Sequence, residues 1–130
     1  MRVLLDTNVV IWLAANVHQM SAATLELLEH DATALVLSSI VPWEVSIKWR
    51  TGKLTLPSHP REWSARLVRE LGVETLMVSQ AHAVQVADLP DHHGDPFDRL
   101  LIAQAQVEGI PIVTADRRFA RYDVEVIAAR

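Results

Sequence analysis

The sequence has no cysteine, only two lysines, and no long apolar run. Without cysteine there can be no disulfide framework, no thiolate zinc site, no iron–sulfur cluster and no cysteine nucleophile. Positive charge is in short supply, with 12 Lys+Arg against 16 Asp+Glu and a formal net charge of −4. That balance argues against a histone-like or generally basic nucleic-acid binder. It leaves nucleic-acid chemistry open, because local charge and net charge are different quantities. Met1-Arg2-Val3-Leu4-Leu5 begins like a signal peptide, but Asp6 interrupts the run at once. Val9 to Ala15 is apolar yet far short of the roughly 20 residues that span a bilayer. The expectation is a soluble cytoplasmic protein with no membrane association.

What is present points to one folded unit over residues 1–130. Half the residues are hydrophobic and 22% are charged, enough to bury a core. Short apolar runs alternate with helical patterns, which reads as α/β with a mostly parallel sheet. Strands are expected at residues 2–5, 35–38, 73–77, 112–114 and, at a sheet edge, 124–127. A short helix should carry Val9, Val10 and Leu13. Ser21 should cap a second helix, with Leu25, Leu28 and Ala32 on one face. Pro42 suits the first turn of a third, which carries Trp43, Glu44, Ile47 and Lys48 and stops at Gly52. Residues 52–60 read as a loop, after which Pro60 opens a helix with Trp63, Leu67 and Leu71 on one face. Ser79 should cap a short helix that ends before Pro90. Asp95 can cap the last helix, with Pro96 at its first position, Asp98 at its third, and Gly109 as its stop.

The carboxylates matter by placement. Asp6 closes the first strand, and Glu44 lies in the first turn of the helix after the second. Asp98 lies in the first turn of the helix beginning at Pro96, and Asp116 follows the strand 112–114. In an open parallel sheet, ligands bind outside the carboxyl ends of the strands. Any one of these acids could serve only as a helix cap or a first-turn charge. Four at one sheet edge repel each other unless a cation neutralises them. All-oxygen ligands suit Mg²⁺ or Mn²⁺ rather than zinc. Such a cluster can hydrolyse a phosphodiester, with basic residues holding the phosphates. Local bases exist: Lys48, Arg50 and Lys53; Arg117, Arg118 and Arg121; and Arg99 beside Asp98. Each group could equally be a solvated face. Setting aside the four acids leaves the remaining carboxylates equal in number to the 12 bases.

Four segments in order carry a resemblance: Leu4-Leu5-Asp6-Thr7-Asn8; Pro42-Trp43-Glu44-Val45-Ser46-Ile47-Lys48 with Gly52-Lys53-Leu54; Asp95-Pro96-Phe97-Asp98-Arg99-Leu100-Leu101-Ile102-Ala103-Gln104-Ala105; and Val113-Thr114-Ala115-Asp116. Over nearly its whole length the sequence resembles PIN-domain ribonucleases, and within them the VapC-type toxins of toxin–antitoxin pairs. The resemblance implies a three-layer α/β/α fold and a magnesium-dependent endoribonuclease, with Mn²⁺ a possible substitute. By position it places the family's acids on Asp6, Glu44, Asp98 and Asp116. Thr114 matches a supporting hydroxyl, Thr7 follows the first acid, and Asn8 stands where many relatives carry histidine. Lys48, Arg99 and Arg117 are the expected contacts to RNA. A VapB-type antitoxin that covers the site and a homodimer are also implied.

Other features bear on that reading. Trp12, Trp43, Trp49 and Trp63 dominate the aromatic content. At least two suit core packing, while Trp12 and Trp43 are candidates for an antitoxin groove. His92 and His93 suggest a rival zinc or iron site, but adjacent residues seldom share one metal, so they read as loop residues near the RNA path. His18, His30, His59 and His82 read as surface or boundary positions. A DNA nuclease or phosphatase could use the same cage. A receiver-like signalling domain also gathers acids at strand ends, but it wants a late lysine, and none follows Lys53.

Overall fold

The computed structural model describes all 130 residues. Strands β1 (Arg2–Leu5), β2 (Ala34–Ser38), β3 (Glu74–Leu76), β4 (Ile112–Thr114) and β5 (Val126–Ala128) form one sheet. Its order is β3-β2-β1-β4-β5, and every pairing is parallel. Helices α1 (Thr7–Ala15), α2 (Ala22–Glu29), α3 (Ile40–Arg50), α4 (Pro60–Leu71), α5 (Gln80–Gln85) and α6 (Pro96–Glu108) make the crossovers.

The pleat of the central strand separates two cores. Val3 and Leu5 pack with Val9 and Val10 of α1, Leu28 of α2, and Trp63 and Leu67 of α4. Leu4 faces the other way, toward Leu101, Ile102 and Ala105 of α6. Apolar residues at both parities of β1 are what a strand covered on both faces requires. The result is the expected three-layer α/β/α arrangement. No helix is long and apolar enough to cross a membrane.

Local chemistry sets the boundaries, some of them away from the expected places. Helix α3 starts at Ile40 because the Ser38 hydroxyl accepts the Ile40 N–H at 3.1 Å. Pro42 therefore falls at the third helical residue, still among the N–H groups that lack an intrahelical partner. Glu44 moves from the expected first turn into the second. Helix α2 stops at Glu29, short of Ala32, because His30 Nδ1 accepts the Ala32 N–H and turns the chain. The last strand is shifted to 126–128, with Glu125 already pairing its carbonyl to Ile112. Helix α6 is delimited as expected: Asp95 Oδ1 accepts from Phe97 and Asp98 N–H, Pro96 opens it, and Gly109 closes it at φ 66°.

Candidate functional site

Sheet order creates the site. The chain runs from β1 outward to β2 and β3, then returns to place β4 on the other side of β1. The crevice at this reversal lies between the carboxyl ends of β1 and β4. Asp6 and Thr114 meet there, because Leu5 pairs with Val113 and Asp6 N–H donates to the Val113 carbonyl at 3.0 Å.

Asp6 is buried. Its Oδ1 accepts the Thr7 N–H at 2.8 Å and its Oδ2 the Thr114 hydroxyl at 2.7 Å. Thr114 Oγ1 in turn accepts the Asp116 N–H at 3.0 Å. One hydroxyl thus links the acids at the ends of two neighbouring strands. The Thr7 hydroxyl donates to Glu44 Oε1 at 2.7 Å, and Lys48 Nζ donates to Glu44 Oε2 at 2.6 Å from one helical turn on. Asp98 lies in the first turn of α6, where a negative charge meets the positive end of the helix.

The electrostatics agree with the crowding. Burial pushes the Asp6 carboxyl above its ordinary value, against its hydrogen bonds from Thr114 and Thr7. Asp98 is pushed up to about 8, first by burial, then by the charges of Asp6, Asp95, Glu44 and Asp116. Asp116 goes the other way, to about 2, chiefly because the Arg118 guanidinium grips it. Arg118 Nη2 reaches Oδ2 at 2.8 Å and Nε reaches Oδ1 at 3.0 Å. Lys48 is raised by its bond to Glu44.

The four expected acids are therefore brought to one place, with Thr7 and Thr114 bonded among them. Asn8 is exposed on α1 and takes no part in these bonds. Lys48 is at the cluster, bonded to Glu44. Arg117 is exposed and lines a cavity of about 520 Å³ with Thr114, Asp116 and Arg130. Arg99 departs from its expected role. Its guanidinium, expected to meet a phosphate, is taken up by the carbonyls of Pro90, Leu89 and His93 and the Tyr122 hydroxyl, at 2.9 to 3.4 Å. It ties down the loop ahead of α6.

The histidines need two corrections. His82 is no surface residue: it is 2% exposed, its Nδ1 accepts the Ser79 N–H, and its Nε2 lies 3.0 Å from Glu108. His93 is also buried, with Nε2 at 2.8 Å from Asp98 Oδ2 and 3.1 Å from Asp116 Oδ2. His92 stays exposed, edge-on to Tyr122. The one sequence signal for His93 is its position two residues before the Asp95 cap, which brings it to the same helix start as Asp98. Among the tryptophans, Trp63 is core, Trp12 and Trp49 are half-buried, and Trp43 is 56% exposed against the edge of Phe97.

A divalent cation suits these donors. Ligating atoms of His93, Asp98 and Asp116 lie within 4.8 Å of one another. A carboxyl held at about 8 marks a shortage of positive charge that such an ion would relieve.

Comparison with known proteins fits this geometry. Residues 3–125 match the PIN domain. The chain is 32% identical over 117 residues to Ribonuclease VapC22 of Mycobacterium tuberculosis, covering 89% of this chain and 88% of that protein. The fold superposes on a crystal structure of VapBC2 from Rickettsia felis bound to a DNA fragment from their promoter, with TM-score 0.75 and 18% identity over the full length of both chains. It also superposes on FitAcB from Neisseria gonorrhoeae, with TM-score 0.65 and 22% identity over 96% of each chain.

Proposed function

The chain belongs to the PIN-domain family, of the VapC type, and on that premise we propose that it is a Mg²⁺-dependent endoribonuclease and the toxin of a toxin–antitoxin pair. The observation that carries the reading is the convergence of Asp6, Glu44, Asp98 and Asp116 at the carboxyl ends of β1 and β4. In this reading Asp6, Glu44, Asp98 and Asp116 hold the ion, Mg²⁺ or Mn²⁺. Bound there, it supplies a water of lowered pKa and a counter-charge for the phosphodiester.

The chain's own groups do the rest. The Thr7 and Thr114 hydroxyls and the Thr7 N–H fix the carboxylates of Glu44 and Asp6, so that the cage needs little rearrangement to receive a cation. Asp98 releases its proton when it becomes a ligand. Lys48, whose side chain is 43% exposed, can exchange Glu44 for a backbone phosphate. Arg117 faces solvent beside Asp116 and meets the strand on the β5 side. Trp43 on α3, against Phe97 at the start of α6, and Trp12 on α1 offer apolar surface to an antitoxin of the VapB type, which would cover the acids. The neighbours in the VapBC and FitAB complexes support that partner. A homodimer completes the assembly.

The receiver-like alternative loses its ground, because that fold orders its strands 2-1-3-4-5 and this sheet is β3-β2-β1-β4-β5. The decisive experiment sequences RNA ends after induction of the protein, with Asp6→Asn as control. New ends at defined sites, absent with Asp6→Asn and abolished in vitro by EDTA, are expected. Equal cleavage by Asp6→Asn, or cleavage of DNA but not RNA, would sink the proposal.

A further inference from the structure

His93 lies in the loop ahead of α6, and its contacts fix the imidazole from several sides. The ring packs edge-on against buried Phe119, with centroids 5.9 Å apart. Its carbonyl accepts from Arg99. Its Nδ1 accepts the Asp95 N–H at 3.2 Å. A backbone N–H aimed at Nδ1 leaves no place for a proton there, so the neutral ring carries its hydrogen on Nε2. That nitrogen bonds Asp116 Oδ2 at 3.1 Å and lies 2.8 Å from Asp98 Oδ2.

A histidine that ligates a metal has the opposite arrangement: its second nitrogen donates to a carboxylate or carbonyl. Here the second nitrogen accepts. The geometry is that of a brace between carboxylates, not of a ligand beside them.

We propose that His93 is a positioning residue of the acid cluster, its Nε2–H bonded to Asp116 at the end of β4 while the same nitrogen sits against Asp98 at the start of α6. Because the two acids come from separate elements and repel each other, the brace holds them ready for a divalent cation. This rests on the reading that both carboxylates are metal ligands.

The test titrates the whole chain with Mn²⁺ and follows the free aqua ion by electron paramagnetic resonance. Wild type is compared with His93→Gln, His93→Asn and His93→Phe. The Gln amide reaches the place of Nε2, whereas Asn reaches only that of Nδ1. Loss of such a supporting group costs about 10–100-fold in metal affinity. That loss is expected for Asn and Phe, with Gln close to wild type. In the Asn variant, excess Mn²⁺ should restore kcat while KM for RNA stays unchanged. Thermal melts check each fold, and the Gln–Asn contrast stands even if Phe does not fold.

Equal Mn²⁺ affinity in all four proteins overturns the proposal. So does a ¹⁴N coupling to bound Mn²⁺ in wild type that vanishes in His93→Gln, which would make His93 a ligand. A wild type that binds no Mn²⁺ overturns the metal reading itself, a distinguishable failure.

Discussion

Asp98→Asn in the metal-free protein gives the sharpest check on the electrostatics. The Asp98 carboxyl has an ordinary value of 3.8 and sits at about 8 in the folded chain. Between those limits the folded state holds a proton that the unfolded chain has released. The stability linked to it is complete below the unfolded value and is lost as pH rises through the folded one. At about 1.4 kcal/mol per tenfold change in proton affinity, the linked free energy is bounded by about 6 kcal/mol. The side chain is 16% exposed, and screening by water lowers the expected value to about 2–4 kcal/mol. Asn carries no such proton, so the stability of Asp98→Asn relative to wild type should climb by about that amount from pH 5 to pH 8. Urea denaturation in EDTA at unit steps of pH measures it, with buried Trp63 as the fluorescent reporter. Adding Mg²⁺ at pH 8 should then stabilise wild type and leave the variant nearly unchanged, because only a folded state that binds the ion gains by mass action. A stability difference that stays flat from pH 5 to pH 8 would refute the claim that burial, with the neighbouring acids, raises the Asp98 carboxyl.

Three further substitutions probe the surroundings. Thr114→Val removes the donor to Asp6 and the acceptor for Asp116 N–H; urea melts should show a loss of about 1–3 kcal/mol, and Mn²⁺ titration an affinity about 10–100-fold weaker. Arg99→Lys cannot reach the carbonyls that the guanidinium spans; a loss of about 2–4 kcal/mol is expected in the same melts, and unchanged stability would return Arg99 to the substrate side. Gln104 is fully buried with no partner for its Oε1, so Gln104→Met should leave stability unchanged or raise it by up to about 1 kcal/mol in calorimetry.

Local rules made much of this legible in the sequence. Asp95-Pro96 and Gly109 bracket α6, and the alternating faces of Arg2–Leu5 announce a doubly covered strand. Asp6, Asp98 and Asp116 could be picked out because each sits where an element begins or ends, a position set by sequence-local signals, whereas Glu44 lies a turn deeper in α3 than its spacing from Pro42 suggested. The direction of long side chains is not set that way. Arg99 neighbours Asp98 in sequence, yet its guanidinium is drawn to carbonyls of an irregular loop that only tertiary folding creates. His92 and His93 are adjacent, and only packing on Phe119 decides that His93 turns inward. His82 finds Glu108 across 26 residues of chain, a pairing no spacing rule anticipates. Arg118, rather than Arg117, grips Asp116 because the short helical turn at Arg117–Arg121 brings its N–H and guanidinium back to that carboxylate.

The sheet order also sets a clock on synthesis. β1 is made first but stands at the centre, and its neighbour β4 is made more than a hundred residues later. A ribosome adding 5–20 residues per second reaches Asp116 about 5–20 s after Asp6. Throughout that interval the nascent chain lacks both the strand that completes the crevice and the Thr114 hydroxyl that orients Asp6. On the proposed reading, a nuclease built in this order cannot assemble its acid cluster until β4 has been made, and a restraining partner would be needed only from that point on.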